Sequence, residues 1–288
     1  MLAMLRVTSA ALLSAVFLAS CNSKKPIVVG SKNETEEMLL GEIVAQHLEH
    51  RLGQPVERRS GLGDTAILYQ SILSGVVGVY PEYTGLIESE ILKEQANPDP
   101  QIVLTRVRGQ MDAMQIEVLD PLGFDNPSAM VIRAQGAEQI ASLSEAAKVT
   151  KRWKLGIPYD FQSRSDGFQA LASYRLPLDA PRTLDKKQLF AALAKGDVDM
   201  IATRATDGHL TPEWKILADD QEVFPPYQAC LMVRKELIAA EPGLRAALAE
   251  LSGKIHADTM QKLNAQVDLM NRPLAMVAAD FLAQAGLK

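Results

Sequence analysis

A polar leader at residues 22–25 gives way to Ile27-Val28-Val29-Gly30, the pattern of a short buried strand. Residues 31–33 read as a turn, with Asn33 and Glu36 placed as a helix cap and its partner. Apolar positions then recur at three-to-four spacing through Met38, Leu39, Ile43, Leu48 and Leu52 and stop at Gly53, which predicts a helix with a glycine stop. Val56–Arg59 reads as a second strand. Asp64 and Thr65 open a helix carrying Ile67, Leu68, Ile72 and Leu73 that ends at Gly75, and residues 76–80 read as a third strand. The plan recurs later: residues 184–195 are helical, Gly196 closes them, and residues 198–202 are a strand. Strands alternating with helices predict parallel α/β sheets. Two such series, near residues 26–120 and 129–223, predict two α/β lobes, and residues 242–253, 258–268 and 273–285 predict a helical tail. No low-complexity linker separates the lobes. The predicted crossings are short extended segments at 125–128 and 224–227, each containing proline, which favours extended backbone in the residue before it.

The amino terminus adds a different signal. Residues 1–20 carry one basic residue, Arg6, followed by an apolar run ending at Phe17. That run falls short of the roughly 20 apolar residues that a bilayer span needs. It ends in Leu18-Ala19-Ser20-Cys21, and small residues in this position mark secretory cleavage. The cysteine after Leu-Ala-Ser resembles the bacterial lipoprotein box, which predicts a signal peptide over residues 1–20 and lipidation of Cys21. The alternative is a cytosolic hydrophobic helix with an incidental cysteine. After processing only Cys230 remains, in an apolar run that predicts a buried small hydrophobe and allows no intrachain disulfide.

Composition narrows the function classes. The 288 residues are 47% hydrophobic and 23% charged, an ordinary globular balance, and the length suits two lobes of about 100–150 residues each. A net charge of -5 argues against a nucleic-acid partner. His47 and His50 read as surface histidines without a third metal ligand, and the chain shows no Gly-x-Ser-x-Gly, His-Glu-x-x-His or Walker pattern. Gly61-Leu62-Gly63-Asp64-Thr65-Ala66 does match the spacing of a dinucleotide fingerprint, with Glu82 about 20 residues on. Against that reading, Val56-Glu57-Arg58-Arg59 is not the apolar first strand such folds bury. A glycine turn into a helix is simpler, and a dinucleotide-dependent enzyme remains the remote alternative.

Four segments carry candidate chemistry. Gly30-Ser31-Lys32 follows the first strand and puts Lys32 at a carboxyl end of the sheet, where ligands bind in α/β folds. Tyr80-Pro81-Glu82-Tyr83-Thr84-Gly85 places two tyrosines in a turn after the third strand. Arg164-Ser165-Asp166-Gly167 opens a helix whose backbone N–H groups suit an anion. Phe224-Pro225-Pro226-Tyr227 lies at the return crossing.

With these segments, and with Thr206-Asp207-Gly208 and the tail Met260-Gln261-Lys262-Leu263-Asn264-Ala265-Gln266-Val267, the chain resembles the osmoprotectant-binding proteins of ABC importers. Those proteins capture glycine betaine, choline, carnitine and related quaternary ammonium solutes. The resemblance implies a type II periplasmic-binding-protein fold, two α/β lobes joined by a two-segment hinge, that closes on a small solute and docks on the membrane permease subunits. The implied parts are residues 21–125 and 226–288 for lobe I and 126–225 for lobe II. The chain would be an exported, lipid-anchored monomer without cofactor, metal or catalysis. The alternative on the same fold is an exported ligand-sensing protein that signals to a membrane receptor.

In that family a box of tyrosines surrounds the trimethylammonium group while a lysine and an arginine grip the carboxylate. The resemblance carries the grip to Lys32 and Arg164 and two tyrosines of the box to Tyr83 and Tyr227. Other positions depart. Asn126-Pro127-Ser128-Ala129 stands where members read Asn-Thr-Tyr-Ala, so Ser128 replaces a tyrosine and Asn126 is kept. Arg204-Ala205-Thr206-Asp207-Gly208 stands where members read Tyr-x-Thr-Asp-Gly, so Arg204 replaces another, and Leu86 stands in place of a threonine. The implied ligand site is Lys32, Tyr83, Asn126, Ser128, Arg164, Arg204 and Tyr227, with a cage altered enough to change the solute.

Overall fold

The strands of the computed structural model, which describes residues 26–288, form two five-stranded sheets. Cys21 and the leader before it lie outside the described residues. The first sheet holds β1 (Ile27–Gly30), β2 (Val56–Arg59), β3 (Val79–Tyr83), β4 (Ile116–Val118) and β10 (Ala229–Arg234), in the order β2-β1-β3-β10-β4. The second holds β5 (Ser128–Arg133), β6 (Leu155–Ile157), β7 (Arg182–Thr183), β8 (Met200–Arg204) and β9 (Trp214–Leu217), in the order β7-β6-β8-β5-β9.

The predicted parallel α/β sheets prove to be mixed. Strands β1, β2 and β3 run parallel, but β10 is antiparallel to both β3 and β4. The reason is connectivity: β10 arrives from the other sheet, and so enters from the end at which β1 leaves. The second sheet repeats this, with β5 antiparallel to β8 and β9. The crossings lie side by side. Asp125 bridges Gln228 in antiparallel fashion, and the Asn126 N–H donates to the Tyr227 carbonyl at 3.1 Å.

Period-2 alternation on the central strands explains the burial. In β10, Ala229, Leu231 and Val233 pack with Leu39, Ile43 and Leu48 of the helix Thr35–Leu52. Cys230 and Met232 face the other way, toward Leu68, Ile72, Tyr80 and Met111. Each such fully buried side chain contributes about 1.5–3 kcal/mol. The edge strand β2 needs less cover, which is why it tolerates Glu57, Arg58 and Arg59.

Several local expectations shift. The helix Thr35–Leu52 takes Glu34 as its cap residue without a side-chain cap bond, so the Asn33–Glu36 cap does not form. It does end as predicted, at Gly53 with φ 63°, where a left-handed backbone suits glycine. The third strand lies three residues later than predicted and contains Tyr80 and Tyr83, so these tyrosines sit in a strand and not in a turn. His47 is fully buried, not on the surface, and its ring nitrogens lie 2.8 Å from the Ala247 carbonyl and 3.1 Å from the Leu287 carbonyl. The helix row that looked solvated is covered by the helical tail, while His50 is exposed. The tail itself divides into Lys235–Ala240, Leu244–Ala249, Ala257–Asp268 and Leu274–Gln284.

Candidate functional site

Strand β1 ends at Gly30, where an added Cβ would meet Val77 side-chain atoms at 2.8 Å. The next residues are clamped to the loop after β2: the Ser31 N–H donates to the Arg59 carbonyl and the Leu62 N–H to the Ser31 carbonyl, both at 3.1 Å. Lys32 is thereby held inward and buried. Its Nζ donates to Glu82 Oε1 at 2.6 Å, lies 3.4 Å from Glu37 Oε1, and sits 4.9 Å from the centre of the Tyr83 ring. Burial works against the ammonium charge, but the Glu82 and Glu37 carboxylates outweigh it and raise the Lys32 pKa. Glu82 is pushed up by its own burial, with Lys32 opposing.

At the end of β3 the Tyr83 hydroxyl donates to Glu36 Oε1 at 2.5 Å. Glu36 is the structural junction of the site. The same Oε1 accepts from Asn126 Nδ2 at 2.8 Å, and Oε2 accepts from Thr206 Oγ1 at 2.5 Å and Asn264 Nδ2 at 2.6 Å. These donors come from β3, the outgoing crossing, the turn after β8 and the helix Ala257–Asp268. Burial and the adjacent Glu37 push Glu36 up to about 7, against the downward pull of its hydrogen bonds.

The return crossing delivers Tyr227. It approaches so closely that a Cβ on Gly85 would lie 2.6 Å from the Pro226 carbonyl oxygen. The Tyr227 N–H donates to Asp125 Oδ1, its hydroxyl donates to Asp166, and its ring lies 6.5 Å from that of Tyr83 at 59°. Two guanidinium groups lie against this ring, Arg204 at 4.6 Å and Arg164 at 5.6 Å. Arg164 Nε donates to Asp166 Oδ1 at 2.7 Å. The predicted anion site at a helix start is not built: the segment after Gly167 is only the four-residue helix Phe168–Leu171, and Arg164 is held by the neighbouring carboxylate instead. Arg204 ends β8 and is the register partner of Ser128 at the start of β5. Ser128 and Arg204 are therefore direct cross-strand neighbours.

All seven predicted residues thus belong to one connected cluster that draws on both sheets and both crossings. Among the described residues, no group of three His, Cys, Asp or Glu side chains could hold a metal ion. A separate depression of about 460 Å³, lined by Ile72, Leu73, Met114 and Arg234 among others, shares no residue with this cluster.

Comparison with known proteins then places the chain. Residues 25–284 match the family described as the substrate binding domain of ABC-type glycine betaine transport system. The chain belongs to that family. It is 30% identical to the carnitine transport binding protein OpuCC of Listeria monocytogenes, over 94% of this chain and 92% of that one. It is also 30% identical to the ergothioneine transport permease/ergothioneine binding protein EgtU of Helicobacter pylori, over 96% of this chain, which spans about half (51%) of that longer protein. A crystal structure of a glycine betaine/carnitine/choline ABC transporter component superposes with a TM-score of 0.82 at 24% identity, covering 91% of this chain and 99% of the other, and so agrees in fold. Family members are solute-binding domains, not enzymes. The Gly61–Gly63 turn follows edge strand β2, and Gly63, at φ 149°, packs against Ile67 at the start of a helix capped by Asp64.

The sequence reading missed the carboxylates. Glu36, Glu37, Glu82, Asp125 and Asp166 surround the site, and none was read as a site residue: Glu36 was placed as a cap partner, and Glu82 and Asp166 stood inside motifs chosen for their tyrosines and arginine. Asn264 and Thr206 did stand inside quoted motifs, and their common partner Glu36 is what ties those motifs together.

Proposed function

We propose that this protein is an extracytoplasmic solute-binding lipoprotein that closes two lobes on a small carboxylate-bearing solute and delivers it to the permease of an ABC importer. The observation that carries this reading is the meeting of Lys32, Tyr83 and Tyr227, from the end of β1, from β3 and from the return crossing, with Ser128, Arg164 and Arg204, from β5, the end of a short helix and β8. Such a cluster can form only when the sheets face each other, so a solute seated there favours the closed arrangement. The lobes are residues 21–125 with 226–288, and residues 126–225. The hinge is the paired crossing around Asp125 and Gln228. Cys21 carries the lipid that holds the protein at a bacterial membrane. No helix among the described residues is long and apolar enough to cross a membrane.

The test is calorimetry and small-angle scattering on the mature protein with carnitine, glycine betaine and small organic acids. A true solute at 100 times its Kd stabilises the folded form by about 2.7 kcal/mol, which a thermal melt reads directly. Failure of every solute to bind, with an unchanged radius of gyration, would overturn the proposal. Uptake by the reconstituted importer, dependent on this protein, separates delivery from receptor signalling.

A further inference from the structure

Three cations enter the cluster, and their neighbours treat them differently. Lys32 is spent on Glu82 and Glu37, at 2.6 and 3.4 Å. Arg164 gives its Nε to Asp166 at 2.7 Å and its Nη1 lies 3.8 Å from Asp160, but its Nη2 is buried without a hydrogen-bond partner. Arg204 makes no ion pair among the described residues, and its buried Nη1 is likewise unpartnered. Asp125 feels the Arg204 charge, yet its Oδ1 accepts the Tyr227 N–H and it forms no ion pair with Arg204. A buried guanidinium N–H left without an acceptor is costly, and the two unpartnered N–H groups belong to side chains lying against one ring, Tyr227. The aromatic surfaces are meanwhile taken. Lys32 occupies the Tyr83 ring and the two arginines occupy the Tyr227 ring. Ser128, facing Arg204 across the β5–β8 pair, adds no ring of its own.

We propose that Arg204 is the specificity-determining residue of the cleft, that with Arg164 it receives an acidic group of the solute beside Tyr227, and that the solute class is therefore small organic acids and not cholines. This rests on the solute-binding reading above. It moves the anion grip from Lys32, whose ammonium is already paired, to Arg204, whose planar fork suits a carboxylate. A trimethylammonium group without an acidic partner finds no vacant ring there, and the unpartnered Glu82 Oε2 belongs to a carboxylate already neutralised by Lys32 at 2.6 Å.

The experiment is titration calorimetry of the mature protein with succinate, glycine betaine and choline, the last two differing chiefly in the acidic group. Wild type binds succinate most tightly and choline most weakly. Arg204→Gln weakens succinate by roughly 10–100-fold, the loss expected for a charge-assisted hydrogen bond, and does not weaken choline. Arg204→Lys keeps the charge without the fork and falls between; it also serves if the glutamine variant does not fold, as judged by its melt without solute. Choline binding to wild type as tightly as succinate, or succinate binding unchanged in Arg204→Gln, overturns this inference and leaves the solute-binding reading standing. Absence of binding by all three overturns this inference, and the solute-binding reading falls with it when carnitine also fails to bind.

Discussion

Glu36 makes the stability of this protein fall as pH rises through neutrality. Burial raises its carboxyl from the ordinary 4.5 to about 7 in the folded protein, with Glu37 adding to the effect and the donors Thr206, Tyr83 and Asn264 opposing it. Between those values the folded chain holds a proton that the unfolded chain has released. The folded form is therefore favoured at the acidic end, and that stabilisation is lost as pH climbs to about 7. At roughly 1.4 kcal/mol per unit of pKa, the change amounts to about 3 kcal/mol. Glu36→Gln removes the titration but keeps the shape. Its carbonyl can still accept from two neighbours, while its amide meets the Asn264 Nδ2 donor that now bonds Glu36 Oε2 at 2.6 Å. That mismatch costs about 1–3 kcal/mol at all pH values. Urea melts of both proteins at about pH 5 and about pH 8 give the difference directly, and other titrating groups cancel in it. The variant is clearly less stable at the acidic value and comes close to wild type at the alkaline one. Two stability curves that stay parallel across this range would refute the reasoning.

The remaining predictions concern packing, reactivity and anchoring. Gly208→Ala places a Cβ 2.5 Å from the Ala265 nitrogen and 2.7 Å from the Asn264 carbonyl carbon, so it lowers stability by about 1–3 kcal/mol and loosens the contact between the turn after β8 and the helix Ala257–Asp268, read by melts and by scattering. Cys230 is fully buried and burial pushes its thiol up, so a thiol reagent labels the native protein only at the rate of unfolding, and fast labelling without denaturant contradicts the placement. Cys21→Ser shifts the protein from the membrane fraction to the soluble one in a bacterial host, whereas identical fractionation of variant and wild type removes the lipidation reading.

What the sequence disclosed depended on the range of the interactions involved. Strands such as Ile27–Gly30 and the helix Thr35–Leu52 follow from local periodicity and a glycine stop, and both were legible. The strand at Val79–Tyr83 was displaced because Val76 and Val77 looked equally strand-like, and only pairing with Ala229–Arg234 selects the register. His47 was misread because its cover comes from Leu287 and Ala247, two hundred or more residues away. The site divides in the same way. Lys32, Tyr83, Arg164 and Tyr227 were named through their segments, because such chemical types stand out at strand ends, and Arg204 only through the family resemblance. The carboxylates of the site were not, because Glu36 and Glu37 are indistinguishable by sequence from the acidic first turn of any helix. That Glu36 accepts bonds from Asn126, Thr206 and Asn264 is information held only by the folded chain.

Ser128 and Arg204 are cross-strand partners, so what one side chain occupies bears directly on the other. Side chains directly opposite in an antiparallel pair share a face and compete for the same volume. A short serine leaves that volume to the long arginine, which crosses it to reach the Tyr227 ring at 4.6 Å. The contact contributes about 0.5–2 kcal/mol of cation–π attraction, which a quaternary ammonium solute would have to displace to use the same ring. If Arg204 stayed nearby instead, a second positive charge ~5 Å away would meet a repulsion of roughly 3 kcal/mol at an effective dielectric of about 20. Either route weakens a trimethylammonium solute, and a carboxylate meets neither obstacle. A single tyrosine here would not build an aromatic cage, because Arg204→Tyr alone leaves Ser128 opposite it, and Ser128→Tyr alone sets a ring against the cross-strand Arg204. The double substitution Arg204→Tyr/Ser128→Tyr is the one expected to gain affinity for glycine betaine. A gain with either single substitution would show that the two positions act independently.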